Sequence, residues 1–200
     1  MTKYILVSLM LLAAPCLAAD YTLGDLSDSA AFVNNQADSS MILISVTTAV
    51  GESGTLDSIM VYGGGYYNVH EGCGVIYNAD SSLLDTTVHF SMPSTGTDHS
   101  MYTANFVGGE SISAETEYLI GFMADSATGA DPSGGPYTYA YTAEGVDSLC
   151  FMTGIASPPS TFAATSYLAN RNLAVAVYYS SAVSGITRKL DAVKLGKSKL

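Results

Sequence analysis

The sequence contains no tryptophan and very few basic residues. Seven Lys and Arg stand against 18 Asp and Glu, so the formal net charge is −11 at pH 7. One of the seven is Lys3, and five more lie in the last thirteen residues: Arg188, Lys189, Lys194, Lys197 and Lys199. Between residues 20 and 186, Arg171 is therefore the one basic residue against 17 acids, a formal charge of 1 − 17 = −16. This acidic part of the chain, residues 20–186, is called the body below. It repels nucleic acid and anionic lipid, so neither is an expected partner.

Long apolar runs are also missing, except at the N terminus. Residues 5–14 are mostly apolar, follow Lys3 and precede small residues at Cys16 and Ala18. This arrangement is typical of a secretory signal peptide cleaved after Ala18, with Ala19 as the alternative. The run is shorter than the ~20 apolar residues of a membrane span, which disfavours a retained anchor. We therefore expect a secreted protein, extracellular or periplasmic, with no integral membrane span.

Cysteine is scarce as well. Cleavage of the signal peptide removes Cys16 and leaves Cys73 and Cys150. In an oxidising compartment such a pair usually forms a disulfide. Closing a loop of 150 − 73 + 1 = 78 residues would stabilise the fold by roughly 4 kcal/mol in the chain-entropy model. We predict a Cys73–Cys150 disulfide, with two separate buried thiols as the alternative. A zinc site is disfavoured, because zinc takes four ligands and no histidines flank these two cysteines.

Between residues 41 and 180, short apolar runs alternate with Gly, Ser, Asp, Asn and Pro. That pattern is typical of many short strands joined by frequent turns. Candidate strands lie at residues 41–48, 55–62, 74–77, 86–92, 101–107, 117–124, 137–142, 148–153 and 173–179. With no convincing internal helix, the sequence predicts an all-β fold, a two-sheet antiparallel, jelly-roll-like sandwich of about nine strands.

The chain divides into a signal peptide (1–18), a β-sandwich domain (19–183) and a basic tail (184–200). About 180 mature residues suit one domain with a sizeable core. Within the domain, residues 125–136 have no apolar pattern and are expected to form a surface loop.

The tail differs in kind from the domain. Ile186, Leu190 and Val193 recur near helical spacing between basic residues, which favours a short amphipathic helix, with a frayed basic end as the alternative. Because the body is acidic, the tail could also pair with the body of a neighbouring copy, which would produce self-association.

Five segments, taken in order, resemble a family of secreted jelly-roll modules. They are Gly-Thr-Leu-Asp-Ser-Ile-Met-Val-Tyr at 54–62, the Ile-Tyr-Asn-Ala-Asp strand within 74–84, Ser-Ile-Ser-Ala-Glu-Thr-Glu-Tyr at the start of 111–121, the Pro-Pro loop within 156–162, and the closing strand at 172–179. The similarity extends over roughly residues 22–180. It implies an accessory β-sandwich of extracellular proteins, with a shape similar to carbohydrate-binding modules and often with no demonstrated ligand.

Catalytic residues are not apparent. A hydrolase needs a nucleophile with a base, two positioned carboxylates or a metal. His70, His89 and His99 lie in no metalloprotease or nucleophile-elbow motif. We expect His89 to be an outward polar residue of a strand and His70 to lie in a loop. We assign no catalytic residue and no required cofactor, and a hydrolase is retained only as a remote alternative.

Two acidic loops offer oxygen ligands for a calcium ion. Ca²⁺ binds several carboxylate and carbonyl oxygens. Asp125 and Asp131 bracket the 125–136 loop and are the speculative ligands, while Asp80 and Asp85 flank another turn. A solvated acidic loop is the alternative.

Tyrosine is the most abundant aromatic residue, with 14 copies. Tyr66 and Tyr67 follow a glycine run, and Tyr137, Tyr139 and Tyr141 share one side of a predicted strand because their spacing is two. If that side is exposed, the three rings form a platform on which sugars can stack. A core face is the alternative.

Two functions follow from these patterns. The first is a non-enzymatic extracellular module that binds a carbohydrate, glycan or cell-surface component weakly through these five tyrosines. The second is a self-assembling matrix or filament subunit, indicated by the opposite charges of the body and the tail.

Overall fold

The computed structural model describes residues 19–26, 32–36, 39–65, 70–92, 100–124, 137–142, 148–169 and 172–181. These residues form strands and turns and include no helix. There are fifteen strand segments, of which twelve have four or more residues. They are β1 (Ala19–Asp25), β2 (Phe32–Gln36), β3 (Ser40–Thr47), β4 (Gly54–Gly65), β5 (His70–Asn78), β6 (Leu83–Thr86), β7 (Phe90–Met92), β8 (Ser100–Asn105), β9 (Ser111–Ile112), β10 (Glu117–Ala124), β11 (Tyr137–Thr142), β12 (Ser148–Thr153), β13 (Ser166–Ala169), β14 (Asn172–Leu173) and β15 (Val175–Ser181).

The strands form two antiparallel sheets. In the first, which we call sheet A, the order is β1-β15-β4-β11-β14, with β2 beside β11 and both β8 and β9 beside β4. In the second, sheet B, the order is β13-β12-β3-β10-β5-β6, with β7 beside β5. The predicted all-β class with two antiparallel sheets is confirmed. The predicted number of strands was too low.

The main core lies between the two sheets. Alternate residues of each strand point to it, as in Ile42 and Ile44 of β3 or Ile120 and Phe122 of β10. Across the core, Ile59 of β4 is fully buried in the same cluster. This is the period-two burial that alternating sequence patterns predict.

Sheet B is buried on its other face as well. A covering segment, residues 154–165, crosses that face and contributes Ile155 and Phe162 to a second apolar cluster. Its backbone is fixed by hydrogen bonds from Ile155 N to Ser39 O (3.0 Å) and from Phe162 N to Ser81 O (2.8 Å). Burial on both faces explains why β3 carries the unbroken apolar run Met-Ile-Leu-Ile at 41–44 rather than a strict alternation.

The two sheets are joined at one corner. Between β6 and β7 the chain leaves sheet B, and Thr87 forms a bridge with Phe106, just after β8 of sheet A. Asp85, 7% exposed, accepts hydrogen bonds from Thr86 N (2.7 Å) and Gly108 N (3.0 Å). This corner is why the predicted strand 86–92 is two strands and not one.

The predicted disulfide is contradicted. Cys73 lies on β5 and Cys150 on β12, and strands β10 and β3 lie between them. Three inter-strand spacings of about 4.8 Å put the two residues roughly 14 Å apart, whereas a disulfide needs Cα atoms within about 7 Å. Both residues are thiols, Cys73 buried and Cys150 half-buried, as in the alternative interpretation.

Three other predictions fall outside the described residues. These are the signal peptide at 1–18, the 125–136 loop and the basic tail at 184–200. Within the described part, no helix is long and apolar enough to cross a membrane.

Candidate functional site

The predicted tyrosine site is only partly described. Tyr66 and Tyr67 lie outside the described residues, as do the speculative calcium ligands Asp125 and Asp131. The strand of Tyr137, Tyr139 and Tyr141 is present as β11, with the predicted bounds. Among the described residues, no group of three or more His, Cys, Asp or Glu side chains is arranged to hold a metal ion.

Backbone register locates the tyrosine positions of β11 within sheet A. Tyr139 lies opposite Gly63 of β4, and Tyr141 lies opposite Leu173 of β14. Gly63 is buried, and Leu173 belongs to the main core. The side chains of the three β11 tyrosines are not among the described parts of the chain, so the stacking platform stays a prediction.

A small cleft lies on the covered face of sheet B. It is lined by Gly72 and Cys73 of β5, Met123 of β10, His89, and residues 156–158 of the covering segment. Its volume of about 30 Å³ leaves room for roughly two or three water molecules. The cleft can therefore hold a small ion but not an organic substrate, since ligand pockets usually measure several hundred Å³.

Sulfur atoms are concentrated beside this cleft. Cys73 of β5 lies opposite Met123 of β10, Met123 opposite Met41 of β3, and Met41 opposite Met152 of β12. Directly opposed residues on neighbouring strands point to the same face. The four residues thus form a row, here called the sulfur row, across four adjacent strands.

His89 lies next to the cysteine end of the sulfur row. Thr87 N donates to Gly74 O (3.0 Å), and Phe90 pairs with Gly72. These two contacts place His89 beside Cys73, with its side chain exposed. The prediction of an outward polar residue is confirmed, although His89 lies between two strands rather than within one.

The covered face is an environment that favours neutral groups. Burial raises the pKa of the Cys150 thiol. Burial also raises the pKa of the Tyr77 phenol, with a further contribution from Cys73. The Tyr77 hydroxyl donates a hydrogen bond to Pro159 O of the covering segment (3.0 Å) and lies 3.7 Å from Met41 Sδ.

A second exposed feature lies at the edge of sheet B. Among the described strands, β13 pairs only with β12. Its four residues, Ser-Tyr-Leu-Ala, are uncharged and exposed; Tyr167 is 65% exposed and Leu168 37%. Tyr167 lies opposite Cys150, so its ring shares the outer face with the thiol.

Sequence reasoning missed both the sulfur row and the β13 edge. The methionines of the row are separated by tens of residues, and only strand pairing brings them together. The signal that was available was the presence of eight methionines, several of them within predicted strands.

No protein-family model matches the chain, and no curated protein matches its sequence.

Proposed function

We propose that this chain is a non-enzymatic, secreted β-sandwich module that associates with further copies of itself through the edge strand β13. The observation that carries the proposal is the composition of that edge. Unprotected edges offer backbone hydrogen bonds to another strand, and natural proteins usually block them with lysine, proline or a covering segment. Here Tyr167 and Leu168 are exposed on a strand with no charge and no proline.

Charge supports the same proposal. Two bodies of formal charge −16 repel each other. The five cations of the last thirteen residues provide the opposite charge on the same chain. Association between the tail of one copy and the body of the next would offset this repulsion, and it would weaken as salt is added.

The five sequence segments, in their order along the chain, support a jelly-roll-like module of extracellular proteins. The segments that carry the resemblance lie on β4, β5, β10 and β15, while the Pro-Pro loop belongs to the covering segment. Secretion rests on the N-terminal sequence pattern. N-terminal sequencing of the exported protein tests it, with Ala19, the first residue of β1, as the expected start.

Light scattering on the exported protein tests self-association. Tyr167→Lys places a charge on the edge at a position that is 65% exposed and lies opposite Cys150 on the outer face, and we expect it to yield monomers where the wild type forms larger species. Val50→Lys is the matched control, because Val50 is 66% exposed but lies in the turn after β3. A chain ending at residue 184 tests the tail in the same way. Monomers in every sample, wild type included, would refute self-association.

Weak glycan binding is the second candidate function. It is favoured by the position of Tyr137, Tyr139 and Tyr141 at alternate residues of one strand. A glycan array with the wild type, Tyr139→Ala and the control Tyr167→Ala on the other sheet tests it. We expect Tyr139→Ala alone to lose signal; an array blank for the wild type, or a signal that Tyr139→Ala leaves unchanged, removes this candidate.

A further inference from the structure

The cleft beside Cys73 combines three side chains that bind soft metal ions. We propose that it is a binding site for one cuprous ion, Cu(I), held by the Cys73 thiolate, the Met123 thioether and the His89 imidazole. All three residues line the same cleft. Thiolate and thioether ligands select Cu(I), and imidazole is also a good ligand for copper.

The strand register brings the two sulfur ligands together. Cys73 and Met123 are directly opposed on β5 and β10. Cβ atoms of opposed residues lie about 4.5–5.5 Å apart. Metal–sulfur bonds are about 2.3 Å long in zinc sites, so a single ion fits between two sulfurs carried on such positions.

The histidine completes the site from the open side. His89 lies beside Cys73 because its neighbours Thr87 and Phe90 contact Gly74 and Gly72, on either side of Cys73. Cys73 and Met123 are 3% and 2% exposed, whereas His89 is exposed. An ion can therefore enter from the imidazole side and become buried against the two sulfurs.

Charge determines which ion the cleft accepts. None of the described lining residues is a carboxylate, and an uncompensated charge is expensive in a buried site. A thiolate and Cu(I) together are neutral, while a divalent ion would leave a net positive charge. On binding, the Cys73 thiol loses its proton to solvent and copper remains Cu(I), so no oxidant or reductant is consumed.

The size of the cleft agrees with this assignment. A volume of about 30 Å³ accommodates one ion, and the neighbouring Met41 continues the sulfur row behind Met123. Hard cations such as Ca²⁺ need six to eight oxygen ligands, which this lining does not provide.

Anaerobic titration of the exported protein with Cu(I), against the chromogenic chelator bicinchoninate, tests the proposal. We expect one equivalent bound in competition with the chelator. Cys73→Ser and His89→Gln should each weaken binding by more than the roughly 10- to 100-fold that loss of an outer-shell partner costs a metal site. Met123→Leu, a volume-conserving change that keeps the fold, should weaken it in the same direction.

Two matched controls make the result specific. Cys150→Ser removes the other thiol, and Met152→Leu removes a thioether at the far end of the sulfur row; both should leave the Cu(I) affinity unchanged. X-ray absorption of the loaded wild type should show sulfur and nitrogen ligands. Failure of the wild type to compete with the chelator, or binding that persists in Met123→Leu and is lost in Cys150→Ser, would overturn the site.

Discussion

Asp85 and Gly108 join the two sheets at one corner. The Gly108 amide lies 3.0 and 3.1 Å from the two carboxylate oxygens of Asp85, which also accepts from Thr86 N. The carboxylate is 7% exposed, so water cannot replace these contacts fully. A Cβ added at Gly108 would lie 2.9 Å from Asp85 Oδ1, which shows how closely the backbone approaches.

Replacing Asp85 should therefore destabilise the fold. We expect Asp85→Ala to lower the free energy of unfolding by about 1–3 kcal/mol, because two backbone amides lose their acceptor in a buried site. Urea unfolding measures the change. Asp57→Ala is the control: Asp57 is exposed, and its carboxylate accepts a long hydrogen bond of 3.4 Å from Ser180 Oγ. Equal midpoints for the two variants would show that the corner contact adds nothing.

Two tyrosines on different faces should respond in opposite directions to loss of their hydroxyl groups. Tyr77→Phe removes the hydrogen bond to Pro159 O and should lower stability by about 0.5–1.5 kcal/mol. The buried Tyr102 hydroxyl has no hydrogen-bond partner among the described residues, since its contact with Ser100 lacks hydrogen-bond geometry. Tyr102→Phe should therefore be neutral or stabilising. Thermal unfolding of both variants decides, and a destabilised Tyr102→Phe would contradict this pairing.

Stability should fall at alkaline pH. Burial raises the pKa of Tyr77 and of Cys150 in the folded protein. Since the unfolded chain then releases these protons first, the stabilisation is complete below the unfolded pKa values and is lost as the pH rises above about 9 to 10. In urea unfolding across this range, Tyr77→Phe should have a shallower decline than the wild type. Parallel profiles would show that Tyr77 does not carry the effect.

The thiols offer a chemical check of the sheet order. Purified without reductant, the protein should react as two thiols in denaturant, and Cys150 should react before the more buried Cys73 when folded. Cys150→Ser should lose the faster reaction only. An intact mass lower by two hydrogens, with no reactive thiol, would instead indicate a disulfide and a different strand order.

The strands were predicted best where the local composition was most distinctive. The bounds of β10, β11 and β12 agree with the sequence pattern because each strand carries apolar or aromatic residues between turn residues. In contrast, β13 is short and exposed, and β2 carries Asn-Asn-Gln, so neither has an apolar signature.

Long-range pairing could not be predicted. Cys73 and Met123 are opposed only because β10 lies beside β5, and no local pattern encodes that choice. The same holds for Cys73 and Cys150, where counting cysteines indicated a bridge but the strand order separates them. Locating the cleft and its sulfur ligands therefore required the sheet register, which no sequence motif supplies.

Hydrogen exchange at the β13 edge tests the central claim most directly. If copies associate through this edge, amides of residues 166–169 should exchange more slowly as the protein concentration rises, because an added strand protects them. The turn at 49–53, which also exposes an apolar side chain at Val50, should be insensitive to concentration. Exchange at 166–169 that is equally fast at every concentration would contradict association through β13.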